Sequence, residues 1–416
     1  MSKPILIKSA AELLGHILGS TFPADRAMES YFRERREMGV RDRGFVAETV
    51  YGCLRERRVL EFIAGSAEAP NIVAAYLLLK GYSARVLEET GFRGPAREMA
   101  ERARQFDISS LPFAQRANLP DWLAQGLLEQ YTEAEALALA QALNQPASLD
   151  MRVNTLKAKR EEVQAQLTLE GFACEPAPYS PMGLRRNERA PIFKTKCFKE
   201  GLFEVQDEGS QLLSLMLEPK RNEMVVDLCA GAGGKTLHLG ALMANTGTVY
   251  AMDVSVRRLE KLKPRLKRSG LNNVRTVSIS HERDARIQRL YGKIDRVLVD
   301  APCSGTGTLR RNPDIKWREI NLAELTDAQQ RILAAAAKLL KPGGRVVYAT
   351  CSLLREENEN IVAAFLAANP DFRTIPAGEI LARRHVALEM PTDALRLLPH
   401  RHHTDGFYAI ALEKIR

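Results

Sequence analysis

The sequence predicts an α/β protein: a parallel, doubly wound sheet at the C-terminus, preceded by a small α+β insert and an N-terminal helical domain. Three observations predict it. From about Gly209 onward, short β-branched runs alternate with helical-period segments at the spacing of strand–helix–strand units. The first of those strands runs straight into a glycine-rich turn and a helix start at 230 to 236. Before position 115, in contrast, apolar residues recur only at helical spacing. The implied domains are 1–118, helical; 119–208, a helix plus an α+β subdomain; and 209–416, the large sheet.

Within the first domain, Phe45, Val46, Thr49, Val50, Cys53 and Leu54 trace one helical face, with arginines and glutamates between them. The arginines cluster (Arg33, Arg35, Arg36, Arg41, Arg43, Arg55, Arg57 and Arg58), as on a solvated face or an RNA-facing module. A further helix runs from 121 to about 145 and is broken at Asn144-Gln145-Pro146. Met151 to Leu156 has strand character, a helix follows from about Lys159 to Glu170, and Pro176, Pro178, Pro181 and Gly183 punctuate short strands. In the large domain the expected strands are 224–229, 248–253, 274–279, 294–300, 345–350, 372–375 and 407–412. Helices are expected at 235–243, 256–268, 322–340 and 356–368. The last two strands have no full helix of their own between them, so an antiparallel edge is expected there, as in many methyltransferases.

The formal net charge is +9, which favours a polyanionic partner because cations that neutralise phosphates release counterions. No run of about eighteen apolar residues occurs, so no membrane span is expected. The N-terminal stretch is helical and polar-interrupted, unlike a secretory leader, and a cytoplasmic monomer is expected. Cys53, Cys174, Cys197, Cys229, Cys303 and Cys351 are scattered with no CxxC pair, so thiols rather than a metal site are expected.

The turn after the first large-domain strand reads AlaGlyAlaGlyGlyLysThr from Ala230 to Thr236. Its glycines permit close backbone approach to a ligand, and the helix start offers free N–H groups. The spacing is not GxGxxG, so a pyrophosphate-bearing dinucleotide is not indicated. Asp253, ending the next strand, is placed to accept hydrogen bonds from a ribose diol. Asp284, after the third strand, is placed to meet an adenine amino group. This pattern suits an adenosine cofactor without a pyrophosphate.

The fourth strand ends in AspAlaProCysSerGlyThrGly (300 to 307) and the fifth in TyrAlaThrCysSer (348 to 352). Both cysteines therefore fall at carboxyl ends of neighbouring parallel strands, where open α/β sheets bind ligands. Carbon-5 of cytosine is a poor nucleophile. Adding a thiolate to carbon-6 makes the ring enamine-like, and carbon-5 then attacks a methyl sulfonium. Asp300, protonated, would donate at the third ring nitrogen. A second group such as Cys303 would assist loss of the carbon-5 proton, and Lys235 would orient or balance charge.

These motifs, with ArgArgAsnProAspIleLysTrp (310 to 317), GluGluAsn (356 to 358), ArgValAsnThr (152 to 155) and AspGlyPheTyr (405 to 408), resemble the Sun (Fmu/RsmB) family of RNA cytosine-5 methyltransferases. The resemblance covers about residue 119 to the end and implies a class I (Rossmann-like) methyltransferase sheet with S-adenosyl-L-methionine as cofactor. It implies that Cys351 is the nucleophile, that Cys303 aids product release, that Asp300 contacts the base, and that the 310–317 loop shapes the target pocket. The candidate cofactor-binding set is Cys229, Ala230, Gly231, Ala232, Gly233, Gly234 and Lys235, with Asp253, Arg258, Asp284 and Asp300. The loop reads GlyAlaGlyGly where many relatives have AlaProGlyGly, which alters its stiffness but not its backbone donors. The N-terminal helices resemble the NusB-like RNA-binding domain of some members. The expected partner is structured RNA, 16S ribosomal RNA first. The alternatives are a transfer-RNA cytosine-5 methyltransferase and a non-catalytic RNA-binding or ribosome-assembly factor, which the two intact cysteine motifs disfavour. A DNA enzyme would carry its nucleophile in the ProCys position, and the second cysteine motif disfavours that.

Overall fold

The computed structural model describes every residue except Arg189 and Arg416. It divides into two compact units: 1–146 with 308–320, and 147–307 with 321–415. By compactness the first unit extends to Pro146, past the boundary expected at 118. The helices Asp121–Leu128 and Glu133–Leu143 group with the helical unit, not with the α+β insert.

The helical unit is built around the helix Val40–Ala64. Asp42 accepts from the Gly39 amide at its start, and Gly65, at φ +64°, ends it in the left-handed conformation. The face anticipated from the sequence is the buried one: Val46, Val50, Cys53 and Leu54 are inaccessible and pack with Leu13, Leu14, Ile72 and Val73. The helix breaks at Glu56, which leaves the helical φ/ψ region. There Val59 donates its amide to Asn118 Oδ1 (3.1 Å). The carbonyls of Leu54 and Arg55 accept instead from Trp317 Nε1 (2.8 Å) and Lys316 Nζ (2.9 Å). The ArgArgAsnProAspIleLysTrp segment is thus part of this unit's interior; Asp314 also accepts from the Ala24 amide (3.1 Å).

In the second unit, four antiparallel strands form the small sheet: β1 (Leu149–Val153), β2 (Glu175–Pro176), β3 (Gly183–Arg186) and β4 (Phe203–Val205), in the order β2-β3-β1-β4. Met151, Val153, Leu184 and Phe203 bury against Val163 and Leu167 of the helix Arg160–Leu169, with Cys174 and Cys197 as inert core thiols.

The large sheet has eight strands: β5 (Met224–Asp227), β6 (Thr248–Asp253), β7 (Val274–Ser278), β8 (Ile294–Asp300), β9 (Leu340–Thr350), β10 (Phe372–Ile375), β11 (Leu395–Leu397) and β12 (Phe407–Lys414). Their order is β10-β12-β9-β8-β5-β6-β7, with β11 paired to β12. β5 to β9 are parallel, and β12 runs antiparallel to β9, which closes the sheet as the sequence suggested. Both faces are covered, so the strands read as continuous apolar runs rather than alternating ones. Val226, Val297 and Tyr348 pack on one face, and Val225, Leu298 and Val347 on the other. The sequence reading missed the helix Ala377–Arg383 and the short strand β11. The topology reverses at β5: the chain winds outward through β6 and β7, then returns to β8 on the other side. This is the switch point at which doubly wound sheets leave a crevice.

Candidate active site

A cleft of about 700 Å³ opens at that switch point, above the carboxyl ends of β5, β6 and β8. The anticipated residues Cys229, Ala230, Gly231, Ala232, Gly234, Lys235, Asp253, Arg258, Asp300, Cys303 and Cys351 all line it. Gly233 does not: at φ +82° its missing side chain makes room for Leu262, so its role is close helix packing. Gly231, at φ +56°, does face open space; a Cβ there would meet no atom within 4 Å.

The glycine turn is held from several sides. Gly231 donates its amide to Asp253 Oδ2 (2.8 Å), whose Oδ1 accepts from Ser255 N (2.7 Å). Arg265 donates to the Ala232 carbonyl (2.7 Å) and Arg152 to the Gly234 carbonyl (2.7 Å). Arg152 is one strand residue of the ArgValAsnThr motif; burial is the main cause that lowers its pKa to about 9. The sequence reading missed Arg265, although it stands seven residues after Arg258 and so shares its helical face.

Asp284 stands apart from the cleft lining, which is supplied instead by Ile279, Ser280, His281 and Glu282. The carboxylate of Asp284 caps the short helix Ala285–Gln288, accepting from Arg286 N (2.9 Å), Ser280 N (2.9 Å) and Ser280 Oγ (2.8 Å). Those bonds hold its carboxyl down at about 2. Its place is therefore behind the lining loop, which it pins.

Asp227 was not singled out from the sequence, although an acid within an apolar strand end is a signal in itself. It is buried and lines the cleft. Its Oδ2 accepts from Thr236 Oγ1 (2.7 Å), while its Oδ1 has no partner among the described residues. Burial pushes its carboxyl up to about 7. Next to it, Lys235 Nζ lies 2.6 Å from Asp300 Oδ2. Burial opposes the lysine's charge, but Asp300 first, and then Cys351 and Asp227, hold its pKa above the ordinary value. Asp300 is thus one half of an ion pair with the lysine that the sequence placed nearby to balance charge.

β8 and β9 pair with Asp300 opposite Ala349, so the chain leaves both strands side by side. Cys303 Sγ and Cys351 Sγ come within 3.4 Å, and both are free thiols. The hydrogen bond to Cys351, then burial, then the negative charges of Cys351 and Glu357 raise the Cys303 thiol well above its ordinary value. Cys229 lies in the same cleft, but burial, followed by the charges of Asp227, Asp300 and Asp253, keeps it protonated. Among the described residues no cluster of His, Cys, Asp or Glu suits a metal ion, and no single helix is long and apolar enough to cross a membrane.

Residues 214–413 match the family described as "16S rRNA methyltransferase RsmB/F", and residues 119–192 match its ferredoxin-like domain. The chain is 31% identical to the probable ribosomal RNA small subunit methyltransferase B of Synechocystis sp., over 94% of each chain. It is 30% identical to the corresponding probable enzyme of Bacillus subtilis, over 91% of this chain and 92% of the relative. Among solved structures, PH0851 superimposes with a TM-score of 0.79 at 28% identity, covering 100% of this chain and 99% of that one. A methyltransferase homologue from Pyrococcus horikoshii does so with a TM-score of 0.63 at 31% identity, covering 74% of this chain and 100% of that one. With its two cysteine-bearing strand ends, its glycine turn and these likenesses over nearly its whole length, the chain belongs to the 16S rRNA methyltransferase RsmB/F family.

Proposed function

We propose that the protein methylates carbon-5 of a cytosine in small-subunit ribosomal RNA, with Cys351 forming a covalent adduct to the base. The observation that carries this reading is the 3.4 Å approach of Cys303 and Cys351 at two adjacent strand ends, both on the wall of one cleft.

The methyl donor is S-adenosylmethionine, and the cleft's chemistry fits it. The volume suits a nucleoside-sized ligand. Asp253 stands at the second strand end, where a ribose diol is received. Gly231 leaves open space where a side chain would intrude, and the unpartnered Asp227 Oδ1 can receive a cation. When bound, the donor supplies an electrophilic methyl group on a sulfonium. Asp253, Gly231, Ala232 and Gly234 would hold its nucleoside half, with Ser280, His281 and Glu282 walling the adenine side and Asp284 fixing that loop from behind.

On the RNA side, Cys351 as thiolate forms a bond to carbon-6, and the ring electrons move to carbon-5, which takes the methyl group. The Lys235–Asp300 pair supplies the proton or hydrogen bond that the third ring nitrogen needs as those electrons shift. The carbon-5 proton then leaves, its electrons restore the ring double bond, and the Cys351–carbon-6 bond breaks. Cys303 is the nearest sulfur to receive that proton. The strongest influence on Cys303, its bond to Cys351, is absent while Cys351 is attached to the base, and this frees Cys303 to lose its own proton to solvent first. Carbon-6 is inaccessible inside a stack, so the target is unpaired or flipped. Exposed arginines of the helical unit, such as Arg36 and Arg41, would supply non-specific affinity for phosphates.

The test is methyl transfer from labelled S-adenosylmethionine to 16S ribosomal RNA, transfer RNA and single-stranded DNA, followed by digestion to nucleosides. The expected product is 5-methylcytidine from the ribosomal RNA. A different methylated nucleoside, or label in transfer RNA or DNA alone, overturns the reading.

A further inference from the structure

Glu357 belongs to the GluGluAsn run that follows the ThrCysSer motif, and the chemistry above makes no use of it. It is fully buried. Its Oε1 accepts from the Ser304 amide (2.8 Å) and from Gln329 Nε2 (3.0 Å). Its Oε2 accepts from the hydroxyls of both Ser304 and Ser352. Ser304 immediately follows Cys303, and Ser352 immediately follows Cys351. One side chain therefore ties together the two loops that carry the two sulfurs. Gln329, which holds Glu357, also donates to the Pro302 carbonyl (2.9 Å), the residue before Cys303. The clamp is completed by the Ser304–Ser352 hydroxyl contact (3.1 Å) and by Thr306 Oγ1, which accepts from the Leu353 amide (2.9 Å). All four groups donating to Glu357 are neutral, and among the described residues none of its ion pairs reaches a Lys or Arg.

We propose that Glu357 is the positioning residue of the cysteine pair: by tying the two cysteine-bearing loops to one carboxylate, it sets the approach of Cys303 to Cys351. This rests on the assignment of Cys351 as nucleophile. An isolated buried anion is normally costly, and four convergent donors are what make one tolerable here. Other charged and polar groups surround the pair. Lys235, itself paired with Asp300 and near Asp227, feels the charge of Cys351. Glu357 and the buried Tyr348 bear on Cys303. Tyr348 adds to the frame, because its hydroxyl donates to the Glu357 carbonyl (2.7 Å). Asn358 does so from the next position, donating to the Ser352 carbonyl (3.0 Å).

Glu357→Gln tests this, since it keeps the volume, removes the charge and turns one acceptor into a donor facing other donors. Three readouts are taken on the full-length protein: donor affinity by titration, single-turnover methyl transfer to 16S ribosomal RNA, and the pH profile of Cys303 and Cys351 alkylation by iodoacetamide without RNA. The expected result is unchanged donor affinity, transfer slowed by about 10²-fold as for a misplaced reacting group, and Cys303 alkylated at lower pH than in the wild type. Transfer within about threefold of wild type, or an unshifted Cys303 profile, overturns the proposal. Should E357Q not fold, the double variant Ser304→Ala, Ser352→Ala removes both hydroxyl arms and leaves the anion. It is expected to slow transfer by about tenfold at unchanged donor affinity, and wild-type transfer rates in it overturn the positioning role. The alkylation profile involves no RNA, so it separates failure of the clamp from failure of the cytosine-5 reading.

Discussion

Asp227 is the most exacting site for a physical prediction, because one buried carboxyl is left with half its hydrogen-bonding capacity unused. The perturbation is Asp227→Asn, which keeps the shape and leaves an oxygen to accept from Thr236. In the unfolded chain the carboxyl titrates at its ordinary value of 3.8; in the folded protein burial raises it to about 7. The native state therefore binds more protons than the unfolded state between those two values. Stability associated with this group is fully present below the lower value and is lost as pH rises through the upper one. A gap of roughly three pH units, at 1.36 kcal/mol each, amounts to about 4 kcal/mol of destabilisation by the ionised form. The assay is urea unfolding of wild type and D227N from about pH 4 to about pH 8, followed by far-ultraviolet circular dichroism. The stability of D227N relative to wild type is expected to grow by up to about 4 kcal/mol across that range. A difference that stays flat with pH, or shrinks as pH rises, refutes the reasoning. The same acid has a consequence for binding. A cationic methyl donor favours the ionised form, so calorimetry near neutral pH in two buffers of different ionisation enthalpy is expected to show proton release in wild type and none in D227N.

Three other outcomes are expected. Cys351→Ala abolishes methyl transfer while leaving donor affinity within about twofold of wild type, by direct titration; retained transfer rejects it as nucleophile. Asp253→Ala removes the acceptors of both the Gly231 and the Ser255 amides, so donor affinity falls by about tenfold or more with little change in the rate from saturated enzyme; a change in rate alone contradicts this. Lys316→Met leaves the Arg55 and Asn118 carbonyls and Asn144 Oδ1 without their donor, at about 1 to 3 kcal/mol for each buried acceptor. Relief of burying an ammonium, which pushes the lysine well below its ordinary value, offsets part of that. The net loss of about 3 kcal/mol is read by tryptophan fluorescence, because Trp122 and Trp317 both lie in the helical unit. Unchanged unfolding would show that those three acceptors find other donors.

The large sheet was legible because its signals are local and repeated: β-branched runs, helical-period spacers and one glycine turn. The neighbourhood of Cys303 and Cys351 was legible for the same reason, since strand order and the position of each cysteine after its strand together fix where the sulfurs fall. What the sequence did not yield depends on pairings far apart in the chain. Asp300 and Lys235 were both placed at the cleft, but their direct ion pair, 65 residues apart in the chain, was not foreseen. Asp284 was aligned by its distance after β7, but Ser280, His281 and Glu282 before it form the lining, and the carboxylate caps the helix that follows while holding Ser280. The contacts that the lysine and tryptophan of the 310–317 motif make at a break in the helix Val40–Ala64 were not foreseen, because such a break has no sequence signature of its own. Glu357 was visible only as part of a motif, because a buried carboxylate and a surface one look alike in a sequence until their donors are known.

The account's central claim is that Cys351 attacks the base and Cys303 releases it. Denaturing electrophoresis of Cys303→Ala incubated with 16S ribosomal RNA and S-adenosylmethionine reads this directly. A methylated RNA–protein species that survives denaturation is expected to accumulate, and to vanish when Cys351 is also replaced by alanine. Free RNA at wild-type turnover in the single variant, or a species that persists in the double variant, contradicts it.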